Sequence, residues 1–169
     1  MAAARHAPVT APAAPPALAL IELLFFAYRD FVGDADEVLQ RYGFGRAHHR
    51  VLHFVNRNPG MTVAELLAVL KITKQSLGRV LRDLVEQGFI DARAGTRDRR
   101  QRLLHVTERG RGLARELMAL QAARIERALA ETGPEGAEIA TAFLRAMVEP
   151  GDRPLVARLV GLDGVAAGG

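Results

Sequence analysis

Hydrophobic positions along this chain recur mostly at helical spacing. Ile21, Leu24, Phe25 and Tyr28 follow the i, i+3, i+4, i+7 rule of one helix face. Leu20, Leu23, Phe26 and Ala27 make the same segment apolar on its other sides, so it must be buried on more than one face. In a chain this small that points to a second subunit. Gly33-Asp34 is expected to interrupt this helix, with a shorter one over Asp36 to Tyr42. Gly43 and Gly45 then punctuate before a helix from about Arg46 to Arg57, apolar at Val51, Leu52, Phe54 and Val55.

Asn58-Pro59-Gly60 reads as a turn. Thr62-Val63-Ala64-Glu65 fits a capping box that opens a helix to about Leu70. After Lys71-Ile72-Thr73, Thr73 caps a further helix that ends at Gly88, a C′ glycine. Phe89 to Ala92 and Gln101 to Val106 read as two strands, and Thr107 caps a long helix to about Thr132. Gly133-Pro134 opens a last helix with Ile139, Ala140, Phe143, Leu144 and Met147 on one stripe.

The fold class expected is mainly α with a small β wing, a winged helix-turn-helix domain flanked by helices forming a dimerisation lobe. The domain reading is a disordered Ala/Pro-rich tail at 1–16, N-terminal dimerisation helices at 17–45 and a winged helix-turn-helix at 46–107. C-terminal dimerisation helices follow at 108–149, and a loosely ordered tail at 150–169.

Composition removes several function classes. The 169 residues hold no Cys and no Trp, and Ser76 is the only serine, which excludes thiol chemistry and leaves no nucleophile–base set for an enzyme. The apolar stretch Ala17 to Ala27 is broken by Glu22 and is about half the ~20 residues of a membrane span, so a soluble cytoplasmic protein is expected. The net charge of +4 is small, but it is local. Lys71 to His105 carries nine Lys+Arg against four Asp+Glu, a net of +5, and the rest of the chain carries 14 against 15.

The helix from Thr73 divides into two faces. Leu77, Val80, Leu81 and Leu84 fall on one arc; Lys74, Gln75, Gly78, Arg79 and Arg82 fall on the other, with the Ser76 hydroxyl beside them. Arg and Lys contact phosphates, Gln reads adenine, and glycine permits close approach, as a major-groove reader requires. Arg97, Arg99 and Arg100, with Arg93 and Arg102 beside them, suit a minor groove. Asp98 is assigned to orienting Arg100 or Arg102. The DNA-contacting set is therefore Thr73, Lys74, Gln75, Ser76, Gly78, Arg79, Arg82, Arg97, Arg99 and Arg100. The rival reading is a winged helix serving protein or RNA contact, or an architectural role.

From Tyr42 to Gly112 the chain resembles the MarR family of bacterial transcriptional regulators. The likeness rests on Ile72-Thr73-Lys74-Gln75-Ser76-Leu77-Gly78-Arg79, on Leu84-Val85-Glu86-Gln87-Gly88-Phe89-Ile90, and on Asp98-Arg99-Arg100 followed by Val106-Thr107-Glu108-Arg109-Gly110. Tyr42 to His49 looks closest to a PetP-like subgroup of that family. The resemblance implies a homodimer on double-stranded DNA at a pseudo-palindromic operator, with a small-molecule effector pocket between the DNA lobe and the helical lobe. No cofactor is expected.

His48, His49 and His53 share one helix. His49 and His53 stand at i, i+4, a spacing that serves zinc in helical motifs, with Asp30, Asp34 or Glu37 the nearest third ligands in sequence. Two histidines fall short of a zinc ligand set, and no metal is assigned. Tyr28, Arg29, His49 and His53 are the candidate ligand-binding residues, offering donors to an anionic or phenolic molecule.

Overall fold

The computed structural model describes residues 16–95 and 101–162. Helix α1 spans Pro16–Gln40, α2 Arg46–Arg57, α3 Val63–Leu70 and α4 Lys74–Glu86. Strands β2 (Ile90–Ala94) and β3 (Arg102–Val106) follow, then α5 (Glu108–Thr132), α6 (Gly136–Met147), a 3-10 turn at Pro150–Asp152 and α7 (Arg153–Val160). A two-residue strand β1, Met61–Thr62, precedes α3 and completes an antiparallel sheet in the order β1-β3-β2. Its register pairs Met61 with Leu104 and Ile90 with Val106.

The core lies within a head built from α2, α3, α4 and the sheet, closed by the second half of α1 and the first half of α5. Leu52, Leu66, Leu77, Leu84, Phe89, Ile90 and Leu104 are sealed from solvent there. Tyr42, Phe44 and Phe89 form an aromatic group in which Phe89 meets the other two edge-on, at 5.2 and 5.1 Å between centroids. Helix α5 is locked onto this head at its start. The Thr107 hydroxyl accepts the Gly110 amide and donates to the Gly88 carbonyl at 2.7 Å. A Cβ at Gly110 would stand 2.1 Å from the Phe89 carbonyl oxygen, so only glycine fits that approach.

Three expectations need correction. Gly33 does not interrupt α1, which runs unbroken to Gln40. A helical glycine costs only ~1 kcal/mol relative to alanine. Burying Val32, Ala35, Val38 and Leu39 on the flanking turns outweighs that. Helix α6 begins at Gly136, two residues after Pro134. It is also not the last helix: the stretch from residue 150, expected to be loosely ordered, forms the 3-10 turn and α7, with Pro154 in the first turn of α7 where its missing amide costs nothing.

No helix among the described residues is long and apolar enough to cross a membrane.

Candidate nucleic-acid interface

The geometry starts at the capping box. The Thr62 hydroxyl accepts the Glu65 amide at 3.2 Å and the Glu65 carboxylate returns to the Thr62 amide at 2.7 Å. The Thr62 hydroxyl also donates to that carboxylate at 2.8 Å, and the Thr62 amide and hydroxyl together hold the Glu65 carboxyl below its ordinary range. Helix α3 stops at Lys71, which takes a left-handed conformation, φ 50°. The turn then delivers Thr73, whose hydroxyl accepts the Ser76 amide at 3.1 Å and donates to the Ser76 hydroxyl at 2.9 Å. The N-terminus of α4 is thereby fixed, and the lone serine is tied to its cap.

Helix α4 sorts its side chains as its periodicity requires. Leu77, Val80 and Leu84 are buried and Leu81 is half-buried. Thr73, Lys74, Gln75, Ser76, Gly78, Arg79 and Arg82 are all exposed. A Cβ at Gly78 would meet nothing within 4 Å, so the fold does not demand glycine there. The hairpin stem closes where the Gly95 amide donates to the Gln101 carbonyl at 3.0 Å, and Arg93 reaches Asp91 at 3.3 Å. Arg97, Asp98, Arg99 and Arg100 lie outside the described residues.

Sequence reasoning missed what holds α4 from behind. The Gly45 amide donates to Nδ1 of His48 at 3.1 Å, so the imidazole proton sits on Nε2 and is donated to the Asp83 carboxylate at 3.1 Å. The ring stacks on Phe44, with centroids 4.7 Å apart. At the C-terminal cap of α4, the Gln87 side chain donates to the Tyr42 carbonyl at 3.3 Å. The start of α2 and the turn before it thus grip the back of the outward-facing helix at two points. The ring is packed as well as hydrogen-bonded, its side chain 13% exposed, and the only sequence sign of its polar role is a histidine three residues after a helix-capping glycine. A second missed contact ties Lys71 to Asp152, just ahead of α7.

The candidate ligand residues divide. Arg29 pairs with its neighbour Asp30 at 2.7 Å on the exposed side of α1. Tyr28 lies under the Arg46 guanidinium, 5.7 Å away, and Arg46 itself donates through Nε and Nη2 to one Asp36 carboxylate oxygen, at 3.0 and 2.8 Å. His49 and His53 are half-buried, and burial pushes both imidazoles below their ordinary pKa. No group of three metal-ligating side chains forms among the described residues. Two of the three carboxylates near in sequence are engaged elsewhere, Asp30 with Arg29 and Asp34 with Arg124 at 2.9 Å.

A sequence profile of the MarR family matches residues 42–101. The chain is 48% identical over 133 residues to the HTH-type transcriptional regulator PetP of Rhodobacter capsulatus, covering 79% of this chain and 80% of that one. Its fold is similar to a MarR family transcriptional regulator from Listeria monocytogenes complexed with 26mer DNA, with TM-score 0.66 and 17% identity over 75% of this chain and 84% of that one. It is also similar to a MarR family protein of Mycobacterium tuberculosis in complex with p-aminosalicylic acid, with TM-score 0.56 and 24% identity over 80% of this chain and all of that one.

Proposed function

The chain belongs to the MarR family of winged helix-turn-helix transcriptional regulators, and from that premise we propose that it acts as a homodimer on a pseudo-palindromic operator. Helix α4 enters the major groove and the wing at 93–102 enters the minor groove. The carrying observation is the two-faced α4, with an apolar face in the core and Lys74, Gln75, Gly78, Arg79 and Arg82 presented to solvent. The phosphate contacts fall to Lys74, Arg79, Arg82 and the wing arginines Arg97, Arg99 and Arg100. Base reading falls to Gln75, in the first turn of α4.

The dimer is supported by apolar surface that the single chain leaves open. Leu23, Phe25 and Phe26 on α1 and Ile139, Leu144 and Met147 on α6 are each more than half exposed. Residues 17–45 and 108–149 are the dimerisation segments in this reading, and 46–107 the DNA-binding domain. Two copies place their α4 helices in successive major grooves, about 34–36 Å apart. A small effector tunes the dimer, with Tyr28, Arg29, His49 and His53 as its first candidate contacts. The role in this reading is non-enzymatic, supported by the lone serine, Ser76, being engaged by its cap Thr73.

A gel shift and footprint on the DNA upstream of the protein's own gene tests this. A protected palindrome is expected, and its absence at low salt overturns the reading. Gln75→Ala should alter preference at one base position, by roughly 1–3 kcal/mol for a bidentate contact. An unchanged binding-site profile would show that α4 is placed wrongly.

A further inference from the structure

Two kinds of contact hold helix α4 on the head. Leu77, Val80 and Leu84 sink one stripe of it into the core. Such burial is strong but non-directional, so by itself it tolerates small rotations and slides. Hydrogen bonds are directional and fix an angle. Most of those on α4 gather at its C-terminal end. The Gln87 side chain donates to the Tyr42 carbonyl, and the Thr107 hydroxyl donates to the Gly88 carbonyl. Arg109 donates to the Gln87 carbonyl at 2.9 Å, with its guanidinium 4.4 Å from the centre of the Phe89 ring. That end of the helix is a fixed pivot.

Along the body of α4, Lys74 to Glu86, the polar ties thin to one. Ser76 bonds only to its cap, Thr73. Among the described residues, Asp83 is the one side chain of this stretch that pairs with another element, through the bond from Nε2 of His48 at 3.1 Å. The donor itself is firmly held. Its Nδ1 accepts the Gly45 amide, its face stacks on Phe44, and Phe44 packs edge-on against Phe89. Both ring nitrogens are committed, which selects the neutral tautomer with the proton on Nε2. The Asp83 side chain, by contrast, is 40% exposed, so changing it opens no cavity.

The effect of this tie is felt near the other end of the helix. Gln75 stands eight residues before Asp83, about 12 Å along the axis at 1.5 Å per residue. A swing of about 10° over that arm displaces a side chain by roughly 2 Å, well beyond the ~0.5 Å within which a preorganised contact works.

We propose that His48 and Asp83 are a positioning pair for base reading: their bond sets the angle of α4 on the head, and so the placement of Gln75 in the groove, with little share in stability. This rests on the DNA-binding function proposed above and adds to it a determinant of specificity outside the contact face.

Relative affinities for the operator and its single-base variants, measured by fluorescence anisotropy alongside urea midpoints, test the pair. Asp83→Ala leaves the cap of α2 untouched. It should keep the urea midpoint close to that of the wild type and cut discrimination at the base position Gln75 reads about tenfold, within the worth of a bidentate base contact. His48→Glu should do the same, because a glutamate three residues after a helix cap accepts the cap amide but offers Asp83 no donor. His48→Gln, whose amide oxygen accepts the Gly45 amide and whose amino group donates to Asp83, should keep wild-type discrimination, as should Asp83→Asn, which still accepts. The double variant His48→Glu with Asp83→Ala should discriminate no worse than either single one, as two ends of one contact do. Base preferences left unchanged in Asp83→Ala and His48→Glu, or affinity lowered equally for every sequence, would make the bond merely structural and overturn the proposal. So would a loss of discrimination in His48→Gln as large as that in His48→Glu. A wild type that binds no operator overturns the DNA-binding premise and the specificity role with it. Imidazole nitrogen NMR of the free protein still decides the bond in that case: a proton on Nδ1 of His48 would break it.

Discussion

The head and the first half of α1 are comparably apolar in sequence and opposite in fate. In the head, apolar positions recur on one side of each element, and Leu52, Leu66, Leu77 and Leu84 are buried within a single chain. From Leu18 to Tyr28 the apolar residues run around the helix, and every large one is exposed, Phe25 by 68%. A one-sided stripe is satisfied by the chain's own neighbours, whereas an all-round apolar helix needs more surface than one protomer supplies. The change in α1 comes within one helix: its second half is one-sided, at Val32, Ala35, Val38 and Leu39, and is buried.

The sharpest way to break this comparison is to truncate one side chain on each side of it. Leu77→Ala should cost about 2–5 kcal/mol in urea unfolding, the range for removing a sealed leucine. Phe25→Asp should instead leave helical circular dichroism intact and shift sedimentation toward the monomer mass. A Phe25→Asp chain that stays dimeric would put the subunit contact elsewhere.

A smaller effect separates folding from binding within the head. Gly78 sits mid-helix with open space where a Cβ would go. Gly78→Ala should therefore stabilise the protein by up to ~1 kcal/mol in the same urea experiment. If α4 enters a groove at that position, the same substitution should weaken operator binding in a gel shift. A more stable protein with undiminished affinity would remove Gly78 from the contact surface.

Local rules carried most of this architecture. The bounds of α2 and α5, the Thr62–Glu65 box, the Thr73 cap and the Gly88 exit all follow from neighbours within a few residues, and each is found where the sequence puts it. What escaped depends on partners far along the chain. Gly33 looks like a break until the burial of its flanking turns is counted. Met61–Thr62 is too short to read as a strand, and pairs only because β3 lies beside it. The grip of His48 on Asp83 joins residues 35 apart, and Lys71–Asp152 joins residues 81 apart. The two faces of α4 were legible because a helix fixes them by its own period.

The smallest effect concerns α2, where head and helical segments meet. Burial is the first cause holding the His49 and His53 imidazoles below their ordinary pKa; the neighbouring His53 adds to it at His49 and Arg57 at His53, while Asp36 opposes it at His49. The folded protein therefore keeps both rings neutral at a pH where the unfolded chain, near 6.5, has begun to take up protons. The unfolded state then binds more protons, so stability should decline as pH falls below about 6.5 and level off once the folded rings are protonated too. Glu65 acts in a lower window. Its carboxyl is depressed by the Thr62 hydrogen bonds, so its contribution is present above its ordinary value of 4.5 and is lost as pH falls through the folded value. Urea midpoints measured from about pH 8 to about pH 5 should fall for the wild type, and His49→Gln with His53→Gln should flatten that slope. The fall should be modest, because both rings keep partial contact with solvent. An unflattened slope would assign the proton uptake to groups other than this pair.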